Sequence, residues 1–176
     1  MAGILKSCSS RWNDSRISFL IVGPAELCEL VSAGLHDCAK QRGWKISVHQ
    51  GESIAEVLTF NVEVGIDFII FAFDGRAIQS LLEVETNINL IDEYYLLSGA
   101  SCLINCTGVL NVMGLTFRKL SELQNKYKIQ FLSANVLKKP LPETSLQLAS
   151  KILNLTEAVL GITSGVPVPI LKSYKS

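Results

Sequence analysis

Hydrophobic and polar positions along this chain alternate between two periods, unbroken apolar runs of strand length and stripes at helical spacing. The first run is Ile17–Val22, Ile-Ser-Phe-Leu-Ile-Val, which meets Gly23-Pro24 and passes at once into a helical pattern. That pattern predicts a helix over residues 25–42, with Leu27, Leu30, Val31, Gly34, Leu35 and Cys38 on one face and Gly43 as its stop. A short strand is expected at 44–48. Residues 51–65 are the least regular stretch, with Val57-Leu58 hinting at a short helix. Residues 66–73, Ile-Asp-Phe-Ile-Ile-Phe-Ala-Phe, read as a central parallel strand covered on both faces. A long helix over 76–97, a strand over 102–106, a helix over 115–127, a strand over 129–133 and a last helix over 143–160 complete the series.

Strict alternation of strand and helix implies a mostly parallel sheet with helices on both faces, a single three-layer α/β domain. The expected division is a flexible arm at 1–16, the domain at 17–162 and an extended apolar tail at 163–176. In such sheets ligands bind beyond the carboxyl ends of the strands. Those ends offer Gly23, Asp74-Gly75, Thr107-Gly108 and Ser133-Ala134-Asn135.

Strand, Gly-Pro turn and helix are also how a phosphate loop begins, so Gly23 is the first place to look for chemistry. A working loop reads Gly-x-x-x-x-Gly-Lys-Ser/Thr, with backbone amides and the Lys on the phosphates and the hydroxyl on Mg²⁺. Counting from Gly23 puts Cys28, Glu29 and Leu30 where Gly, Lys and Ser/Thr should stand. A carboxylate about 4 Å from a phosphate repels it by roughly 4 kcal/mol at an effective dielectric near 20. Either the anion site is filled by the protein's own Glu26 and Glu29, or this was never a phosphate loop and both are ordinary helix-start residues. The remaining GTPase groups fail as well. No Asp-x-x-Gly occurs, the guanine position reads Asn105-Cys106-Thr107-Gly108, and Asn125-Lys126-Tyr127-Lys128 ends in the wrong charge.

Other chemistries find little support. Asp74 and Thr107 stand at successive strand ends as the phosphoacceptor and hydroxyl of a receiver domain would, but Gly23-Pro24 supplies no carboxylate for the metal. His36 and His49 have no Ser or Cys in a nucleophile elbow beside them. No catalytic, metal-ligating or cofactor-binding residue is assigned.

Composition narrows the classes further. The chain has 176 residues, 48 % of them hydrophobic and 18 % charged, which is a folded domain with unusually little charged surface. Lys plus Arg and Asp plus Glu number 16 each without a basic run, so direct nucleic-acid binding has little to rest on. No stretch approaches a membrane span. Cys102 and Cys106 fall in one predicted strand, where four residues span roughly 13 Å, too far for a disulfide or a shared metal. With Cys8, Cys28 and Cys38 they read as small hydrophobes of a reducing compartment. The sequons at Asn105 and Asn154 fall inside predicted core elements and are set aside.

The helices carry apolar residues on more than one side. On the long third helix Ile78, Leu81, Ile88, Ile91 and Tyr95 face the core, while Leu90, Tyr94 and Leu97 are turned away. The last helix has Leu146, Leu153 and Leu160 on one side and Leu148, Ile152, Leu155 and Val159 on another. Two-sided helices suggest cover by another protein; a wide core stripe with scattered surface residues explains them equally. The segment 165–171, Gly-Val-Pro-Val-Pro-Ile-Leu, is either docked on its own domain or offered to a partner. Leu90, Tyr94, Leu97, Ile170 and Leu171 are therefore candidate protein-binding residues.

Taken together, the chain resembles the centromere protein M family, Ras-like domains that have lost their GTPase motifs. The likeness rests on Ile-Ser-Phe-Leu-Ile-Val-Gly at 17–23, Ile-Asp-Phe-Ile-Ile-Phe at 66–71, Ser80-Leu81, Cys102-Leu103 and the Val-Pro-bearing tail, and it departs most at 50–65. It implies a small-GTPase-like sheet, a P-loop G-domain topology without the motifs, and a pseudo-GTPase that is not an enzyme and binds no nucleotide. It further implies a structural subunit of the inner kinetochore in the nucleus, supporting chromosome segregation. Its implied partners are centromere protein I, with centromere proteins H and K in the same complex. Two rival expectations stand beside it, a divergent active small GTPase and a small-ligand domain that reuses the strand-end crevice without phosphate chemistry.

Overall fold

In the computed structural model, residues 16–59, 65–108, 114–137 and 142–161 are described. Their elements are β1 (Ile17–Val22), α1 (Ala25–Gln41), β2 (Ile46–Gly51), α2 (Ile54–Thr59), β3 (Phe68–Phe73) and α3 (Ile78–Ile88). These are followed by α4 (Glu93–Leu97), β4 (Ser101–Asn105), α5 (Leu115–Tyr127), β5 (Gln130–Ser133) and α6 (Pro142–Leu160). The five strands form one sheet in the order β2-β1-β3-β4-β5, and every neighbouring pair is parallel.

Every residue of β1, β3 and β4 is buried, as their apolar runs require of strands covered on both faces. The outer strands β2 and β5 are half-exposed. On one face α1 packs along α6, at a crossing where Gly34 lies so close to Ser145 that an added Cβ would overlap its hydroxyl. On the other, α3 packs along α5. The result is the single three-layer α/β domain that the alternation implies.

The G-domain topology implied by the family likeness is not what forms. The all-parallel order 2-1-3-4-5 is that of flavodoxin-type doubly wound sheets. Both arrangements alternate strand and helix along the chain, so periodicity alone does not separate them; the order across the sheet does.

Three local differences have physical causes. The expected helix over 76–97 breaks in two, because Asp92 caps a new helix start by accepting from the Tyr94 amide at 2.8 Å. The second strand lies two residues later than expected. Its register pairs Ile17 with Ile46 and Val22 with Gly51, while the Trp44 amide is spent on the Ala39 carbonyl at the end of α1. Both apolar sides of α6 are taken up within the domain, with Leu148, Ile152 and Leu153 buried and Leu146, Leu155, Val159 and Leu160 packed partly against the core. The broad-stripe explanation holds for that helix.

Candidate functional site

The carboxyl ends of the strands are closed by the protein's own groups at two of three places. At the end of β1, Gly23 has φ +153° and sits so close to β3 that a Cβ would overlap the Ala72 carbonyl oxygen. Its amide donates to the Gly51 carbonyl at 3.1 Å. The next turn folds onto itself: the Leu27 and Cys28 amides donate to the Pro24 carbonyl at 2.9 and 3.0 Å, and the Cys28 thiol donates to the Gly23 carbonyl at 3.3 Å. Of the three residues standing at phosphate-loop positions, Cys28 is buried, Leu30 is half-buried against the core and Glu29 is exposed. Glu26 is exposed too. Burial, reinforced by the nearby Glu52 and Glu29 carboxylates, pushes the Cys28 thiol up to about 11. The Glu29 and Glu52 carboxylates therefore stand near this loop.

At the ends of β3 and β4 the chain forms a second knot. Asp74 is held by Arg76, whose Nη2 lies 2.6 Å from Oδ2 and whose amide donates to Oδ1 at 2.9 Å. The Arg76 guanidinium beside it, aided by the Thr107 hydroxyl, keeps the Asp74 carboxyl below its ordinary range. The sequence places Asp74 and Thr107 at adjacent strand ends, and the fold does bring them together. The partner that completes the cluster is a cation on the same turn, where receiver chemistry would need carboxylates.

Beneath this pair lies Asn105, fully buried at the end of β4. Its Oδ1 accepts from the Gly75 amide at 3.1 Å, the Thr107 amide at 3.1 Å and the Thr107 hydroxyl at 2.8 Å, and its Nδ2 faces the Ser133 hydroxyl at 3.3 Å. One side chain ties the ends of β3, β4 and β5 together. Sequence reasoning considered Asn105 as a guanine contact and as part of a sequon, and missed this role. The available signal was an amide closing an otherwise apolar run.

The third place is open. Over the ends of β1 and β2 lies a cavity of about 440 Å³, bounded by the start of α1 and by α2. Leu20, Ala25 and Val57 give it apolar walls, Glu52 and Glu56 put two carboxylates at its edge, and His49 and Gln50 line the β2 side. His49 Nε2 lies 3.3 Å from the Ser47 hydroxyl. Among the described residues no Lys or Arg lines it. In this strand order the usual ligand crevice opens between β1 and β3. Here Gly23 seals that point against Ala72, and the opening is displaced to the β2 side. The α2 wall is fixed from below, where the buried Asn87 Oδ1 accepts the Ile54 amide at 2.7 Å. Sequence periodicity left this wall as the least regular stretch of the chain.

The expected protein-binding residues fall in two groups. Leu90, Tyr94 and Leu97 are exposed by 42, 47 and 85 %, on the turn after α3 and on α4. Ile170 and Leu171 lie outside the described residues. Cys28, Cys38, Cys102 and Cys106 are free and buried, as read, while Cys8 lies outside the described residues. Of the two sequons placed inside core elements, Asn105 is buried as expected, whereas Asn154 is exposed on α6, since it faces away from Ile152 and Leu153. Among the described residues no group of His, Cys, Asp and Glu is arranged to hold a metal, and no buried side-chain nitrogen or oxygen lacks a partner.

No family model matches the sequence, and no curated protein is significantly similar to it. Solved structures do match in fold. An oxidoreductase from Corynebacterium diphtheriae aligns over 85 % of this chain and 99 % of its own at 11 % identity, with a TM-score of 0.52. A signal receiver domain of an HD-domain protein from Pseudomonas fluorescens covers 82 and 99 % at 15 % identity, TM-score 0.42. General stress protein 14 from Treponema denticola, solved with FMN, covers 82 and 99 % at 14 % identity, TM-score 0.36.

These findings correct the family expectation. The fold likeness runs to an oxidoreductase from Corynebacterium diphtheriae and not to centromere protein M or to Ras-like GTPases, and the strand order departs from the G-domain as well. The kinetochore-scaffold reading and its rival, a divergent small GTPase, both lose the fold they were built on. So does the expectation that the chain is not an enzyme. It rested on motifs missing from a G-domain, those motifs have no bearing on a sheet of this order, and the fold is similar to that of an oxidoreductase.

Proposed function

We propose that this chain is a small-molecule-binding domain of the flavodoxin-like kind, whose ligand is a cationic, partly apolar molecule held over the ends of β1 and β2. The observation that carries this reading is the cavity itself. Its volume of about 440 Å³ lies within the usual range for ligand sites, and its lining joins apolar walls to two carboxylates and one histidine, with no Lys or Arg among the described residues. A protonated amine with a small apolar body matches that lining, since Glu52 and Glu56 attract the charge while Leu20, Ala25 and Val57 cover the rest.

FMN, which flavodoxin-type sheets often hold at the end of β1, does not fit these residues. Its phosphate needs backbone amides and positive potential. Here Pro24 has no amide hydrogen, the Gly23 amide is bonded to the Gly51 carbonyl, Glu26 and Glu29 stand in the first turns of α1, and among the described residues no Lys or Arg lines the cavity. The Mg²⁺-nucleotide requirement fails for the same reason.

The test is an amide chemical-shift titration of the full chain with tyramine, with its neutral analogue 4-ethylphenol and with FMN. Tyramine should move the Gly23, Cys28, Gly51 and Val57 resonances, with an affinity several-fold weaker in the Glu52→Gln, Glu56→Gln double variant. Shifts caused by FMN at micromolar concentration, or equal shifts from 4-ethylphenol and tyramine, would sink the reading.

A further inference from the structure

The cavity over the ends of β1 and β2 changes in polarity from floor to mouth, and that order decides which end of a ligand goes in first. Its floor is made by Leu20 and Cys28, exposed by 0 and 1 %. Its charges belong to Glu52 and Glu56, which are both exposed and so stand at the mouth.

The polar atoms at the floor are already engaged. The Cys28 thiol donates to the Gly23 carbonyl at 3.3 Å, the Gly23 amide donates to the Gly51 carbonyl at 3.1 Å, and the Cys28 amide donates to the Pro24 carbonyl at 3.0 Å. His49 stands opposite Leu20 in the register of β1 and β2, but its Nε2 lies 3.3 Å from the Ser47 hydroxyl, two residues back along the strand. What the floor offers a ligand is methyl groups and a sulfur whose proton is spent elsewhere. Such a surface suits an alkyl end or the edge of an aromatic ring. A hydroxyl placed there gives up its water and gains no strong partner.

Resting on the amine reading, we infer that the ligand enters apolar end first, with its ring or alkyl end on Leu20 and Cys28 and its ammonium at the mouth beside Glu52 and Glu56. The ligand class narrows accordingly to arylalkyl- and alkylamines whose far end carries no hydrogen-bonding group. Cys28 sets specificity at that end. At the other end methyl groups on the nitrogen are tolerated, because they point to water.

The experiment titrates the full, unaltered chain with phenethylamine, with tyramine, which adds one hydroxyl at the far end of the ring, with N-methylphenethylamine and with the neutral 2-phenylethanol. Phenethylamine should bind about tenfold more tightly than tyramine, the penalty of one unpaired hydroxyl, and N-methylphenethylamine nearly as tightly as phenethylamine. Ring protons should show nuclear Overhauser contacts to the Leu20 methyl groups, and the N-methyl protons should not. Cys28→Ser, which puts a hydroxyl on the floor, should shrink the tyramine penalty several-fold; the ligand comparison on the unaltered chain stands whether or not that variant folds. Equal affinity for tyramine and phenethylamine, or contacts from the N-methyl group to Leu20, would overturn the orientation and leave the amine reading intact. Amines that bind no more tightly than 2-phenylethanol would overturn the amine reading, and the orientation with it.

Discussion

The Oδ1 atom of Asn105 accepts the amide of Gly75 across the gap between β4 and the turn that follows β3, at 3.1 Å. It accepts the Thr107 amide and hydroxyl as well, and all of these groups are buried. Replacement by Ala strips several donors of one acceptor at once and leaves a cavity. Asn105→Ala should lower stability by about 2–4 kcal/mol, seen as an earlier midpoint in urea. Ser133→Ala, which removes one contact from the exposed end of β5, should cost only about 0.5–1 kcal/mol.

Gly23 combines two requirements for glycine, of which Gly43 shows only one. Its φ of +153° disfavours a side chain, and the Ala72 carbonyl occupies the space a Cβ needs. Gly43, at φ +69°, has nothing within 4 Å of its would-be Cβ. Gly43→Ala should therefore cost about 1 kcal/mol and Gly23→Ala about 2–4 kcal/mol, both read from thermal melts. Equal costs would mean that β3 gives way to the added carbon.

Glu85 on α3 reaches both Lys119 at 2.6 Å and Lys126 at 3.2 Å on α5. Hydrogen bonding and attraction from these two lysines, Lys119 foremost, lower its pKa from the ordinary 4.5. A depressed carboxyl contributes stability that is fully present above its unfolded pKa and is lost as pH falls through the folded one. Stability should therefore fall below about pH 4.5 more steeply in the natural chain than in Glu85→Gln. At neutral pH the substitution should cost about 0.5–1 kcal/mol, less in high salt, since both lysines retain contact with water.

Cys28 should be a poor nucleophile despite lining the cavity. Its thiol is raised from the ordinary 9 to about 11, so at pH 8 almost none is thiolate. Iodoacetamide at that pH should label Cys28 in the native chain orders of magnitude more slowly than in urea, by peptide mass analysis. A raised acid favours its neutral form in the fold, so stability is unaffected below pH 9 and declines between pH 9 and about 11. Cys28→Ser should flatten that decline.

The alternation of elements was legible because burial imposes it: Phe68–Phe73 has no polar residue to face water, and α5 begins and ends where its Leu115–Tyr127 pattern does. The order of the strands was not legible. Each strand carries a near-uniform apolar run, and nothing in Ile17–Val22 says that its neighbours are Ile46–Gly51 and Phe68–Phe73. A family likeness filled that gap with the wrong sheet. Gly23 was noticed for a phosphate it does not meet, because a glycine required by the Ala72 carbonyl looks the same in sequence as one required by a ligand. The cavity wall was legible only as the hint of a short helix at Val57-Leu58, for a different reason. Ile54–Thr59 is only six residues long and half-exposed, and its position depends on Asn87, 33 residues away.

That bond between Asn87 and Ile54 has a dynamic consequence. A six-residue helix does not persist in water by itself, since nucleation costs more than so few turns return. The wall that carries Glu56 and Val57 therefore stands or falls with α3, borrowing the free energy of a helix on the opposite side of its own strand connection. Slow exchange at the Ile54 amide would report the opening of α3, and a change on the outer face of α3 would be felt as a change in the width of the cavity.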